Sequence, residues 1–278
     1  MKPSTILSVY VASGDEQVTY QTLAVQHASQ VATIVLNRPE VRNAFNETMI
    51  AEITHAFAAL GSTAEVRAIV LAADGAAFCA GGDLNWMKAM ADYTPEQNRA
   101  DAALLATMLR TIYQCPKPVI AKVQGDCYAG GLGLVAACDI VAAVDTAQFC
   151  LSEVKIGLIP ATISPYVIKA IGESAARRYF ITAERFSAET AQRLGLVHEV
   201  VAAEKLNESV ASLLKALLAA SPNAVTEAKR LVRSIAGQPL TETLIADTVE
   251  DIAKIRASSE GREGVRAFLE KRKPSWLL

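Results

Sequence analysis

The chain has 278 residues, of which 51% are hydrophobic and 20% charged. Its 27 Lys and Arg against 29 Asp and Glu leave a formal net charge of −2, which excludes the basic excess of a protein built to grip nucleic acid. The apolar fraction excludes a disordered chain, and the length allows one large domain or two ordinary ones.

The elements read in order as follows. Residues 1–25 are irregular and polar in places, which suits an edge or mobile segment. Val31 to Leu36 (VATIVL) is short and β-branched and predicts a strand, ended by Asn37-Arg38-Pro39. Asn46 is a fitting N-cap. Ile50, Ile53, Phe57 and Leu60 then recur at helical spacing, and Gly61 is expected to close that helix. Val66 to Ala72 predicts the next strand, and Pro95 to Tyr113 a long helix with Leu105, Met108, Leu109 and Ile112 inward. Pro118 to Val123 and Ile140 to Val144 predict two more strands. From Ser164 the pattern is almost wholly helical, with helices expected near 164–171, 174–182, 187–193, 203–219, 222–235, 241–256 and 261–271. Strands alternating with helices over the first 150 residues imply an α/β fold with a mostly parallel sheet. The helical last third must pack on the first part, on a neighbouring subunit, or on both.

No run of about 18 uncharged apolar residues is present, so no membrane span is expected. The first residues lack the apolar core of a signal peptide. Cys79, Cys115, Cys127, Cys138 and Cys150 are odd in number and form no CxxC, and His27, His55 and His198 show no ligand spacing. Reduced thiols in a cytoplasmic protein without a metal site are the expectation.

Two glycine loops stand out. Phe78-Cys79-Ala80-Gly81-Gly82-Asp83-Leu84 follows one predicted strand, and Gly130-Gly131-Leu132-Gly133-Leu134 follows another. Paired glycines admit close approach to the backbone, although an ordinary strand-to-helix turn would use them too. Free N–H groups in two such loops suit a two-donor oxyanion hole. Gly131 to Ala136 also matches the dinucleotide pattern G-x-G-x-x-G/A, with Glu153 lying 20 residues beyond Gly133. The predicted strand ends at Val123, too early for that motif, and a NAD-linked enzyme stays open as a rival. Glu153 lies in an apolar stretch. It is either an acid–base group with a raised pKa or a strand-end carboxylate paired with Lys155. Ser152-x-x-Lys155 and Ser212-x-x-Lys215 match a nucleophile–base spacing by chance, with no partner motif.

These segments, taken together, resemble the crotonase, or enoyl-CoA hydratase/isomerase, superfamily over roughly residues 25–275. The resemblance is carried in order by Leu36-Asn37-Arg38-Pro39 with Asn43-Ala44-Phe45, by Phe78 to Leu84, and by Pro116 to Gly125. It continues with Ala129 to Gly133, Ala137 to Ile140, Phe149, Glu153, Gly157 to Pro160, Ala191, Gly195 to Val197, and Phe268 to Pro274. It implies a spiral of β-β-α units, with a core over residues 1–195 and a helical C-terminal trimerisation region over 196–278. It implies an acyl-CoA substrate, with CoA part of the substrate and no resident cofactor, and a homotrimer or a dimer of trimers. By matching position, the N–H groups of Gly82 and Gly130 would hold the thioester oxygen and stabilise an enolate. Backbone from Ala80 through Asp83 to Leu84 would line the adenine end, and Arg42, Phe268 and Lys271 are candidate CoA contacts.

The family's hydratases commonly use two glutamates. The second matches Glu153, whereas Gly133 stands at the first, which leaves a one-base isomerase open. Asn85-Trp86-Met87-Lys88, Gly133 to Asp139, and Gly157 to Ala161 with Thr162 to Tyr166 resemble a bacterial branch assigned as methylglutaconyl-CoA hydratases in leucine degradation. That branch also carries glycine at the first position. It implies hydration of an α,β-unsaturated acyl-CoA, with Lys88 either meeting a distal carboxylate or standing as a surface lysine. A non-catalytic CoA-binding protein is the rival of another class.

Overall fold

The computed structural model describes residues 18–277; the expectation for residues 1–17 lies outside them. Strand β1 (Leu23–Ala28), which starts within the last residues of the segment expected to be irregular, forms one edge of a sheet and pairs antiparallel with β2 (Val31–Leu36). The alternation in β2 buries Ala32, Ile34 and Leu36 completely and leaves the residues between them half-exposed. Helix α1 (Glu47–Ser62) starts where Asn46 accepts a hydrogen bond from the Met49 N–H at 3.0 Å, a side-chain N-cap. Gly61 does not close it. The helix runs on to Ser62, and Gly61 instead makes room for Pro116, whose Cδ would stand 3.3 Å from a Cβ at that position.

The remaining strands alternate between two sheets. β3 (Ala68–Ala73), β5 (Val119–Val123) and β7 (Ile140–Val144) enter the large sheet; β4 (Ala77–Cys79), β6 (Asp126–Tyr128) and β8 (Gln148–Cys150) enter a small one. Each pair is followed by helix: α2 (Leu84–Met90) and α3 (Pro95–Gln114), then α4 (Gly130–Ala136), then α5 (Ser164–Thr182). This is the spiral of β-β-α units. The small sheet has no counterpart in the sequence pattern, because three-residue strands show too little alternation to register as strands. Gly172, at φ +75, interrupts α5 and divides it into the two helices expected there.

Two further strands, β9 (Phe186–Ser187) and β10 (Glu199–Val201), flank α6 (Ala188–Arg193). The large sheet has the order β1-β2-β3-β5-β7-β10, and the small one β4-β6-β8-β9. β10 lies beyond residue 195, so the large sheet draws its last strand from the C-terminal segment. Its neighbour β7 pairs with it in parallel, Ala142 opposite Glu199.

Four helices end the chain: α7 (Leu206–Ala219), α8 (Pro222–Ile235), α9 (Glu242–Ala257) and α10 (Ser259–Leu269). α7 packs against β3, β5, β7 and β10 of the large sheet, burying Leu206 and Val210. α8 is tied down by Lys229, whose Nζ lies 2.5 Å from Asp139 Oδ2 and donates to the Lys117 carbonyl at 2.9 Å. α8 and α9 bury no residue completely, and Val232, Ile245, Val249, Ile252, Val265, Phe268 and Leu269 stand exposed on α8 to α10. No helix among the described residues is long and apolar enough to cross a membrane.

Candidate active site

The small sheet decides where the site forms. Its parallel strands β4, β6 and β8 lie side by side, with Cys79 opposite Cys127 and Tyr128 opposite Cys150. Just past their C-terminal ends come Gly82, Gly130 and Glu153. Three groups far apart in sequence thus arrive at one end of one sheet, the end where parallel α/β sheets bind ligands.

The first two strand ends interlock. Phe45 forms a parallel bridge with Gly82: its N–H donates to the Gly81 carbonyl at 2.9 Å, and its carbonyl accepts from the Asp83 N–H at 3.0 Å. Gly81 has φ +92, and a Cβ there would lie 2.9 Å from Ala129 Cβ and 3.6 Å from the Gly130 nitrogen, so the two loops touch. A Cβ on Gly130 would fall 2.3 Å from Phe45 Cζ. Ala129 reaches α4 through a positive φ of +49, held by its N–H on the Cys150 carbonyl at 2.8 Å. For an alanine this is a strained conformation that the surrounding structure must impose. Gly82 and Gly130 remain half-buried, and among the described residues neither N–H donates to a protein acceptor. Two backbone donors without a protein acceptor thus lie on touching loops.

Glu153 opens a 3-10 turn (Glu153–Ile156) after β8. It makes no ion pair with Lys155, so the strand-end pairing considered from sequence is not formed. Its Oε2 is buried and has no hydrogen-bond partner. Burial pushes the carboxyl above its ordinary value, only partly offset by a hydrogen bond to its own backbone. A half-buried carboxylate with a raised pKa and an idle oxygen is suited to accept and return a proton.

At Gly133 a side chain has no place. A Cβ there would lie 2.3 Å from Ile163 Cγ2 and 3.3 Å from Leu109 Cδ2. Gly131 is equally enclosed, with the Cys79 carbonyl 2.8 Å from a Cβ. This corrects the case against a dinucleotide motif. The gap after Val123 contains β6, so the glycines do follow a strand at once. The motif fails for another reason: Gly131 and Gly133 face protein, leaving no approach for a pyrophosphate.

The other site residues fall into two groups. Ala80 donates to the Arg42 carbonyl at 3.0 Å, which brings exposed Arg42 beside the first loop. Leu84 is exposed at the start of α2. The Asp83 side chain is committed elsewhere: it caps α2 through the Asn85 and Trp86 N–H groups and pairs with Arg38 at 2.8 Å. Burial alone would raise its pKa, but these donors bring it below the usual carboxylate range. Its backbone is engaged as well, the N–H donating to the Phe45 carbonyl and the carbonyl accepting from the Met87 N–H. Lys88 is exposed on α2. Phe268, 83% exposed, and Lys271 stand at the end of α10, which packs on α8 and α9. Sequence reasoning missed Ile163 as the residue that fills the space at Gly133. It also missed the role of Asn43, which is fully buried and donates to the Asp74 and Ala77 carbonyls at 2.7 and 2.9 Å, anchoring the approach to β4.

Comparison with known proteins shows the family and the fold. Residues 26–277 match the family model described as enoyl-CoA hydratase/isomerase. The enoyl-CoA hydratase ACTT6 of Alternaria alternata is 34% identical over 236 residues, covering 84% of this chain and 77% of that protein. A solved enoyl-CoA hydratase from Shewanella pealeana is 42% identical with a TM-score of 0.90, covering 92% of this chain and 96% of the other. One from Mycobacterium smegmatis is 36% identical with a TM-score of 0.88, covering 93% and 100%. The chain belongs to the enoyl-CoA hydratase/isomerase family.

Proposed function

We propose that the protein hydrates an α,β-unsaturated acyl-CoA, with a methyl-branched dicarboxylic acyl group such as 3-methylglutaconyl as the substrate. The carrying observation is the convergence of two free N–H groups and one carboxylate with an unpartnered oxygen at the ends of β4, β6 and β8. In this reading Gly82 and Gly130 hold the thioester oxygen and stabilise the enolate that forms when water adds at the β-carbon. Glu153 orients that water, takes its proton and delivers a proton to the α-carbon. Arg42, the backbone of Ala80 to Leu84, and Phe268 and Lys271 contact CoA, which is part of the substrate; no resident cofactor is required. Lys88 meets the distal carboxylate.

The enclosed Gly133 favours a second reading. With Ile163 and Leu109 against that position, Glu153 has no carboxylate partner there. A single base suffices to move a proton between the α- and γ-carbons, which is double-bond isomerisation. Purified protein offered 2-enoyl-CoA and 3-enoyl-CoA separately decides between them. Water addition to the first supports hydration; turnover of the second without hydration of the first establishes the isomerase. Binding of CoA esters with no turnover of either would make the protein a non-catalytic CoA binder.

The proposal extends to assembly and setting. The exposed apolar residues of α8 to α10 support a homotrimer or a dimer of trimers formed through the C-terminal helices. Sedimentation that gives a monomer at micromolar concentration would refute it. Five unpaired thiols support a reducing, cytoplasmic setting.

A further inference from the structure

We propose that Trp86 and Asp101 form a positioning pair that fixes the Gly82 N–H against the Gly130 N–H. This rests on the assignment of Gly82 and Gly130 as oxyanion donors. Trp86 is buried on α2, and its indole Nε1–H donates to Asp101 Oδ1 on α3 at 3.0 Å. Its ring lies beneath the first loop: a Cβ on Gly82 would meet Trp86 Cε3 and Cζ3 at 3.5 Å. The same ring packs on Phe45, centroid to centroid 6.0 Å. Phe45 in turn bridges Gly82 and closes against Gly130. Trp86 therefore touches both the Gly82 loop and Phe45, the residue standing between the two donors.

An indole held only by packing can slide along Phe45. The bond to Asp101 removes that freedom, because it ties the far end of the ring to a different helix. Asp83 fixes the near end by accepting from the Trp86 backbone N–H at 3.4 Å. Trp86 is thus anchored at its backbone and at its indole nitrogen, with the Gly82 loop resting on the face between. A shift of a donor by about 1 Å is enough to cost up to roughly 10²-fold in rate, so a loosened ring should be read in catalysis.

The test uses the full-length protein with Trp86→Phe, Asp101→Ala, Asp101→Asn and the Trp86→Phe/Asp101→Ala double variant. Turnover of the best acyl-CoA substrate is measured alongside the absorbance of a conjugated dienoyl-CoA, whose red shift on binding reports polarisation of its carbonyl. Trp86→Phe and Asp101→Ala should each lower kcat about tenfold, leave KM within about twofold, and shrink the red shift. The double variant should match the single ones, since either change breaks the same contact. Asp101→Asn keeps an oxygen that accepts from the indole, and should retain kcat within about threefold. Thermal melting of each variant separates this from mere loss of fold; if Trp86→Phe does not fold, the Asp101 variants decide alone. Single variants with kcat and red shift unchanged, or effects that multiply in the double variant, would overturn the positioning role. Absence of a red shift in the unmutated protein would remove the oxyanion assignment, and this proposal with it.

Discussion

The glycine wall of the site is held from several directions, whereas the Glu153 wall is held by little. Gly82 is bridged to Phe45, underlain by Trp86, and followed by an aspartate that is both helix cap and ion-pair partner. Gly130 is boxed by Phe45 and by the strained Ala129. Glu153 begins a short turn beside which Ile156, Leu158 and Ile159 are exposed, and its buried Oε2 bonds to nothing. The difference follows from what each wall must supply. Backbone donors stabilise developing charge only if their geometry is preset. A proton-transfer group works best when no fixed partner holds it in one protonation state.

The contrast can be broken first at Gly130. Gly130→Ala places a methyl where Phe45 Cζ would be 2.3 Å away, so the donor or the ring must move. If the donor is displaced, the loss approaches that of a deleted oxyanion donor, roughly 10²–10³-fold in kcat, measured by steady-state turnover; unchanged kcat would show that the Phe45 ring yields and the donor keeps its place. Gly133→Ala should act on stability instead. Its contact with Ile163 is equally close, and overpacking costs about 1–3 kcal/mol. Calorimetry should therefore show a lowered Tm, and Gly133→Ala should cost less in an Ile163→Ala background, where the Cγ2 methyl is gone. An unaltered Tm would mean that Ile163 yields freely.

A pH profile sharpens the other wall. Burial holds the Glu153 carboxyl above 4.5, so turnover by its base form should fall on an acid limb centred above that value. The sign for stability runs the opposite way. The folded state binds this proton more tightly than the unfolded chain, so stability falls as pH rises from 4.5 through the raised value. Glu153→Gln should abolish that slope. The smallest effect is expected at Lys88. An exposed charge pair contributes about 1 kcal/mol or less, so Lys88→Ala should raise KM a few-fold for a dicarboxylic acyl-CoA and leave a neutral acyl-CoA unchanged. Equal effects on both would remove Lys88 from the acyl site.

The large sheet and the C-terminal helices were legible because their patterns are long enough to show a period. VATIVL is a six-residue β-branched run, and α1 repeats its apolar face through Ile50, Ile53, Phe57 and Leu60. β4, β6 and β8 are each three residues long, and no period survives at that length. Yet these strands carry all three reacting groups. Gly82, Gly130 and Glu153 could be singled out from local composition and from the family resemblance. What holds them could not, because Phe45, Trp86, Asp101 and Ile163 act across the fold. An isolated apolar or acidic residue carries no mark of the distant glycine it will touch. Gly133 shows the same limit: it reads as an absent glutamate in sequence and as a filled space in the structure.

Glu153→Gln tests the central claim most directly, with turnover and dienoyl-CoA red shift measured on one preparation. If Glu153 is the principal acid–base group of a site whose oxyanion donors stand apart from it, turnover falls by roughly 10²-fold or more while the red shift persists. Turnover within about threefold of the unmutated protein would contradict that role.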